Sequence, residues 1–272
     1  MNFPGNLQTN ERDAIHRLMT LGYFQGKEWD EVKKYLLTDA VITDAVEKYR
    51  NFHDLPPGSE VDKDLIESLN RPRCGVPDFV RPAEAGVCKW PMLAVTFAHL
   101  IEGLQPLAAE VERACVTEAL STWNSVCGIK LTLIADMKSA NIYANIGSTG
   151  SGVLAYSYLP CGATPNTQLA QVYNKSQPWD RNLLVNVLIH EIGHALGLDH
   201  GPSGSIMQPT ANGSITKPQS WDINQVVSRY GKPTDIPPVP PTPPTVDVTT
   251  LIVPDDLPAG RYVLVPATNT WS

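Results

Sequence analysis

The chain has 272 residues and a formal net charge of −7, which is long enough for one sizeable domain and a smaller one. The acidic balance excludes a typical nucleic-acid-binding protein, because phosphate contacts need clustered Lys and Arg and no such cluster appears. No run approaches the ~18 apolar residues of a membrane span, and the first residues lack the basic start and apolar core of a Sec-type signal peptide.

Residues 10–70 carry three short helical patterns separated by polar turns. A break at Pro56-Pro57-Gly58 ends the second pattern, and Asp62 is placed to cap the third. The apolar positions at helical spacing are Ala14, Ile15, Leu18 and Met19, then Val41, Ile42, Ala45, Val46, Tyr49 and Phe52, then Leu65, Ile66 and Leu69. These patterns predict a small three-helix bundle over residues 1–70.

From Cys88 to Gly231 the pattern becomes mixed. An apolar run covers 90–97, strand-like segments lie at 129–134, 141–146 and 153–158, and helical patterns lie at 108–123 and 181–196. Strands and helices in this order predict an α+β domain, a sheet backed by helices, over residues 88–232.

A proline-rich run follows this domain. Residues 237–244 read PPVPPTPP, which predicts an extended spacer within a linker at 233–245. The remaining residues, 246–272, hold two apolar strand-like runs around a turn. They are too few to build a core alone, so we expect this short β-like tail to dock on another surface or pair with another chain.

Three histidines at the spacing of a metal site lie in the segment HEIGHALGLDH. His190 and His194 are four residues apart, so a helix projects both imidazoles from one face. Gly197 can end that helix in a left-handed turn, which returns the chain with His200 as a third ligand. Three neutral imidazoles and one open position are typical of catalytic zinc. Glu191 is then expected to take a proton from the zinc-activated water and to protonate the departing amine.

An HExxH string alone also occurs by chance on surface helices. Here Gly197 and His200 extend it, and Met207 follows in the segment SIMQP. At these residues the chain resembles the metzincin clan, whose mark is HExxHxxGxxH followed by a methionine turn. The resemblance implies that Met207 forms an apolar floor beneath the zinc, whereas an isolated methionine is more often core filler.

A cysteine precedes the sheet region in the segment RPRCGVPD, which ends at Asp78. A thiolate is a better zinc ligand than water, so Cys74 in the fourth position would silence the site. The segment reproduces the sequence PRCGVPD of the matrixin cysteine switch, and the chain resembles a matrixin zymogen. The resemblance implies that Arg73 and Asp78 form a clamp. A lone cysteine would instead be read as a structural thiol or a disulfide partner.

The resemblance also implies a domain organisation. Residues 1–70 look like the peptidoglycan-binding-like prodomain, residues 71–87 the switch and activation segment, and residues 88–232 a metzincin catalytic domain with a twisted mixed sheet. We expect activation by cleavage between about Asp78 and Trp90, where the segment RPAEAG is polar.

The chain also departs from the family pattern. No His, Asp or Glu lies between Met137 and Trp179, so we expect neither a conventional structural zinc nor the usual calcium loops, and one catalytic zinc only. The resemblance puts a zinc-binding histidine at Tyr156, a serine at Gly201 and tyrosines of the specificity wall at Gln208 and Ala211.

The substrate contacts follow from the same resemblance. The segment 152–155 is a candidate edge strand that could bind an extended substrate through backbone hydrogen bonds. Leu154 and Ala155 would contact the substrate beside the scissile bond, and Asn186 would lie near the base of the primed-side pocket.

The five cysteines leave their pairing open. An odd count requires that at least one cysteine is unpaired or paired with another molecule, and Cys74 is the candidate. Cys88, Cys115, Cys127 and Cys161 allow three pairings, and four buried reduced thiols are the alternative.

The predicted function is therefore a zinc-dependent metalloendopeptidase made as a latent zymogen, with a protein or peptide as substrate. One alternative is a peptidoglycan-binding or particle-associated protein, and another is a hydrolase of cell-wall peptides. Neither nucleic acid nor a membrane span is expected. We expect the protein to act outside the cell, by a route that the sequence leaves open.

Overall fold

The computed structural model describes residues 9–24, 38–79, 88–100, 103–211 and 213–233. The proposed cleavage segment at 81–86, the proline-rich run and the tail at 246–272 lie outside these ranges. The chain divides into two compact units, Met1–Ile236 and Pro237–Ser272, and the described residues all belong to the first. Within them, none of the helices has the length and apolarity needed to cross a membrane.

The N-terminal region contains the three predicted helices. They are α1 (Thr9–Thr20), α2 (Asp39–Phe52) and α3 (Lys63–Leu69). Their apolar faces form one cluster that includes Ile15, Leu18 and Tyr49. The Asp62 carboxylate accepts a hydrogen bond from the backbone N–H of Leu65 at 2.9 Å, which is the expected cap of α3. Val41 was predicted on the buried face of α2 but is 43% exposed, because that face begins one residue later, at Ile42.

The second region contains a mixed sheet, and the α+β prediction is confirmed. In the described part of the chain the strands are β1 (Arg73–Cys74), β2 (Ala94–Leu100), β3 (Lys130–Leu133), β4 (Ile142–Gly147), β5 (Val153–Ser157) and β6 (Leu169–Asn174). Their order is β1-β5-β6-β4-β2-β3. Among the pairs formed by these described strands, β5–β6 alone is antiparallel. The two-residue strand of the cysteine segment therefore extends the sheet at β5.

Three helices accompany the sheet: α4 (Ala109–Asn124), α5 (Arg181–Ala195) and α6 (Ser220–Tyr230). Helix α5 packs between α4 and β5. Two buried indoles hold it in place, since Trp123 Nε1 donates to the carbonyl of Ile189 at 2.9 Å and Trp90 Nε1 donates to that of Ala195 at 2.8 Å. The histidine-bearing helix is thus fixed by the core on one side, with its other face toward the cysteine segment.

The sequence patterns did not predict strand β6. Its burial alternates from Leu169 onward, but Gln171 occupies a fully buried position. The Gln171 side chain is satisfied by Ser157 and Tyr173, at 3.3 and 3.0 Å. A polar residue on the inner face breaks the apolar alternation by which a strand is recognised.

Candidate metal centre

Helix α5 brings two of the predicted ligands to one face. The Asp180 carboxylate caps the helix by accepting from the N–H of Leu183 at 2.9 Å. One turn separates His190 from His194, and both imidazoles are buried. The helix ends at Ala195, one residue before the predicted end.

Gly197 redirects the chain after the helix. Its φ of +88° lies in the left-handed region, and a Cβ at this position would lie 1.8 Å from the carbonyl oxygen of Cys88. The N–H of Leu198 then bonds to the carbonyl of Gly193 at 3.0 Å. This turn brings His200 back to the other two histidines.

Four buried side chains converge at this point: Cys74, His190, His194 and His200. Each offers one ligand atom, and these atoms all lie within 4.8 Å of one another. The two Nε2 atoms of His190 and His194 are 3.1 Å apart, and the Cys74 Sγ is 3.5 Å from His194 Nε2. A tetrahedral zinc ion separates two nitrogen ligands by roughly 3.3 Å and a nitrogen from a sulfur by roughly 3.5 Å. The donor set therefore fits zinc.

The ring tautomers support the same assignment. His190 Nδ1 lies 2.8 Å from the carbonyl of Ile206, and His194 Nδ1 lies 2.7 Å from that of Leu198. Because a carbonyl only accepts, each Nδ1 carries the proton and each Nε2 presents a lone pair. Burial lowers the pKa of His190 to about 3 and that of His194 well below its usual value, so both rings stay neutral. Two lone pairs 3.1 Å apart repel each other unless a cation lies between them.

Glu191 lies beside the three histidines and is fully buried. Neither carboxylate oxygen has a hydrogen-bond partner of good geometry among the described residues. Burial raises the pKa of Glu191 to about 8. Burial, and then the charge of Glu191, raises the pKa of the Cys74 thiol. The carboxyl group of Glu191 and the thiol of Cys74 therefore both resist ionisation. A nearby cation would stabilise their ionised forms and lower both pKa values.

The cysteine segment lies between β5 and the loop that carries Met207. The N–H of Arg73 bonds to the carbonyl of Gly152 at 3.0 Å, and that of Gly75 bonds to the carbonyl of Ala155 at 2.8 Å. On the other side the N–H of Cys74 bonds to the carbonyl of Pro209 at 2.9 Å. The segment is therefore held along both edges, with its sulfur directed at the histidines.

Arg73 and Asp78, the two residues of the expected clamp, form a buried ion pair. Burial alone would raise the pKa of Asp78, but the Arg73 guanidinium and the contacts with His200 and His53 hold it well below the usual range. The Nδ1 of His200 lies 2.9 Å from Asp78 Oδ1, at an angle too oblique for a well-aligned hydrogen bond. The clamp thus reaches the third histidine directly.

Met207 is fully buried and contacts the helix at Gly193. A Cβ on Gly193 would lie 2.3 Å from the Met207 sulfur, so this close approach requires the glycine. The carboxylate of Asp222 accepts from the N–H groups of Ile206 and Met207, at 2.9 and 3.2 Å, and so anchors the turn to α6.

Two of the predicted substrate residues line a pocket beside the cluster. Leu154 and Asn186 belong to its wall, together with Gln208 and Ala211. The Asn186 side-chain amide donates to the carbonyl of Ile215. Ala155 lies outside this lining, and its carbonyl is occupied by the cysteine segment.

Comparison with known proteins agrees with this geometry. The family model for matrixin, in the peptidase M10 group, matches residues 89–231. The chain belongs to the matrixin family. Among its matrixin relatives, human matrix metalloproteinase-16 is 27% identical over 239 residues, which cover 74% of this chain and 39% of the relative. The metalloendoproteinase 4-MMP of Arabidopsis thaliana is 28% identical over 259 residues, which cover 81% of this chain and 72% of the relative.

A third relative, human matrix metalloproteinase-26, is 28% identical over 207 residues, which cover 70% of this chain and 75% of the relative. This matrixin chain spans about two fifths of the length of matrix metalloproteinase-16, since the aligned region is 39% of that protein. The comparison therefore settles the family and leaves the activity of the whole protein to be proposed.

This matrixin departs from the family pattern at Gly201 and at Tyr156. A Cβ on Gly201 would lie 2.6 Å from both the Trp221 ring and the Ser205 hydroxyl, so there is no room for a serine. Tyr156 lies on β5 with its ring 6.1 Å from that of Tyr158 in an edge-to-face pair.

The cysteines follow neither predicted alternative completely. Cys88 and Cys161 form a disulfide, and Cys74, Cys115 and Cys127 are free and buried. The bridge joins the start of the sheet region to the loop between β5 and β6.

The sequence patterns did not identify four residues near the metal centre, namely Tyr23, His53, Gly193 and Asp222. Tyr23 and His53 contact Asp78 from the N-terminal helices. Gly193 carried a usable signal, because a glycine inside a helix costs about 1 kcal/mol and usually has a packing reason. Tyr23, His53 and Asp222 act through partners that lie 15 or more positions away in the chain, and no local pattern reveals such contacts.

Proposed function

We propose that this protein is a zinc endopeptidase made in a latent form, in which Cys74 occupies the position of the catalytic water. The observation that carries the proposal is the convergence of one sulfur and three imidazoles, all buried, within 4.8 Å. Membership of the matrixin family supports the reaction class. The proposed ligands are His190, His194 and His200, joined by Cys74 in the latent form.

Glu191 is the proposed general base and acid. His190, His194 and His200 would hold a zinc ion, which would supply a coordinated water with a pKa lowered toward ~7 and a positive charge beside the scissile carbonyl. Glu191 accepts the proton of the attacking water and passes it to the departing amine. Its position supports this role, because Glu191 is buried beside the three histidines and neither carboxylate oxygen has a hydrogen-bond partner of good geometry among the described residues.

Latency has two proposed components. The Cys74 sulfur takes the coordination position that water needs, and β1 occupies the edge of β5. An extended substrate would bind along that edge by backbone hydrogen bonds, beside Leu154 and Ala155, with its next side chain in the pocket that Asn186 lines. Removal of the N-terminal region therefore frees the metal position and the substrate edge together.

The test of the proposed chemistry combines metal analysis with proteolysis of casein before and after modification of Cys74 by a thiol reagent. We expect one zinc per chain, no activity before treatment and activity after it. Glu191→Ala should keep the zinc and lose activity by roughly 10²–10⁴-fold. Glu110→Ala, an exposed acid on α4, is the matched control and should behave as the parent. Unchanged turnover in Glu191→Ala would remove the assigned role.

Cys74→Ser tests the switch separately. It should bind zinc and digest casein without thiol treatment, because a hydroxyl is a weak zinc ligand beside a thiolate. Cys115→Ser changes another free, buried thiol and should remain latent. If both variants are as silent as the parent, removal of the Cys74 sulfur alone does not relieve latency, and Cys74 is not the group that controls it.

Two finer points complete the proposal. We place the mature protein outside the cell, because disulfides such as Cys88–Cys161 persist in oxidising compartments. Peptide mapping without reductant checks the bridge, and five free thiols would contradict it. Parallel digests of casein and of muropeptides separate protein from cell-wall peptide as the substrate.

A further inference from the structure

The Asp78 carboxylate is buried at the junction of the N-terminal helices and the metal centre, and its two oxygens face different partners. Oδ1 pairs with Arg73 of the cysteine segment and lies 2.9 Å from Nδ1 of His200. Oδ2 accepts a hydrogen bond from the Tyr23 hydroxyl at 2.7 Å and lies 3.2 Å from Nε2 of His53. One carboxylate therefore connects the helical region to the third proposed zinc ligand.

The two residues on Oδ2 belong to the core of the N-terminal helices. Tyr23 follows α1, and its ring lies edge-on to those of Tyr49 and Phe79, each at 5.2 Å. His53 directly follows α2, and its ring is 4.1 Å from that of Tyr49. Both side chains therefore hold their positions only while these helices are packed. The backbone supports the same junction, since the N–H of Asp78 bonds to the carbonyl of Leu21 at 2.9 Å.

We propose that Tyr23 and His53 are positioning residues for latency, which hold Asp78 against Arg73 and His200 and so control how readily Cys74 leaves the metal centre. The inference rests on the proposed latent zinc site. A buried carboxylate is fixed by the donors around it, and losing a donor leaves it under-satisfied and free to shift. A shift of Asp78 loosens the Arg73 clamp and the orientation of His200.

This coupling gives the helical region a role besides covering the site. The N–H of Cys74 bonds to the carbonyl of Pro209 in the Met207 loop, and its neighbours Arg73 and Gly75 bond to β5. The side chain of Arg73 is oriented by Asp78, which is oriented in turn by the residues that follow α1 and α2.

The test measures the rate at which a thiol reagent modifies Cys74 in the full chain with zinc bound, with the modified peptide identified by mass spectrometry. Tyr23→Phe removes only the hydroxyl on Asp78, and we expect modification to become about 10- to 100-fold faster. The matched control is Tyr49→Phe. It removes a buried hydroxyl from the same core, but one whose partner is Ser68 at 3.0 Å, so the rate should stay within about threefold of the parent.

A second pair of variants, at His53, tests the same inference if Tyr23→Phe fails to fold. His53→Leu removes the donor and should accelerate modification, while His53→Gln keeps an amide donor and should restore much of the protection. Equal rates for Tyr23→Phe and Tyr49→Phe, or for His53→Leu and the parent, overturn the inference.

The same preparations separate this inference from the proposed function. A parent protein without zinc overturns the proposed function and the inference with it. A parent that binds zinc, protects Cys74 and becomes active after treatment, beside variants with unchanged rates, overturns the inference alone.

Discussion

Replacing Gly197 by alanine should damage both the stability and the metal affinity of the protein. The residue has a φ of +88°, and a non-glycine residue in that region costs ~1–2 kcal/mol. The added Cβ would also lie 1.8 Å from the carbonyl oxygen of Cys88, which is more than an ångström inside van der Waals contact. That oxygen belongs to the backbone of a residue tied to Cys161 by a disulfide, so it cannot turn aside as a side chain would.

The combined cost follows from these two contributions. Overpacking in a tight interior typically costs ~1–3 kcal/mol, so Gly197→Ala should lower the free energy of unfolding by about 2–5 kcal/mol. The turn also determines where His200 lies, because it sets the direction of the chain after α5. We therefore expect zinc affinity to fall together with stability.

Gly150→Ala is the matched control for this experiment. Gly150 has a φ of +93°, but a Cβ there would meet no atom of the described residues within 4 Å. Only the backbone cost of ~1–2 kcal/mol should therefore appear. Denaturant unfolding at saturating zinc measures stability, and competition with a chromophoric chelator measures metal affinity. If Gly197→Ala and Gly150→Ala lose equal stability and both keep the parent's zinc affinity, the steric reasoning is wrong.

Two further predictions concern the N-terminal helices and the floor of the metal centre. The pKa of Asp62 is lowered from 3.8, chiefly because its carboxylate accepts a hydrogen bond from the Leu65 N–H. The ionised side chain therefore stabilises the fold above pH 3.8, and this contribution is lost as the pH falls below that value. In acid unfolding followed by circular dichroism, the free energy of unfolding of Asp62→Asn should therefore fall less steeply with decreasing pH than that of the parent. At neutral pH, Asp62→Ala should lower the free energy of unfolding by ~1 kcal/mol, and neither variant should change the zinc content. Gly193→Ala should displace the Met207 sulfur, which a Cβ would approach to 2.3 Å, and lower peptidase activity after thiol treatment by more than it lowers zinc content. Equal losses of activity and zinc would indicate simple unfolding instead.

Much of the candidate site could be predicted because its geometry is local. The proposed ligands His190 and His194 share a face because a helix has 3.6 residues per turn. Gly197 marks the turn because only glycine adopts its backbone angles cheaply. The same reasoning found the cap of α3 at Asp62. These features need only a few neighbouring residues to be defined.

Other features depended on how distant segments meet. The strand β6 was hidden because Gln171, a buried polar residue, finds its partners in Ser157 and Tyr173 only after the sheet has formed. The pairing of Cys88 with Cys161 joins residues 73 positions apart, and nothing in their spacing selected it over other pairings.

The sequence alone was enough to predict the family and to single out the three histidines and the cysteine that the structure brings together. The contacts by which Asp78 connects Tyr23 and His53 to His200 appear in the folded structure and in no local sequence pattern. Helical spacing fixes the relation between residues one turn apart, whereas a contact across 100 or more residues exists only once separate cores have packed and their polar groups must find partners inside.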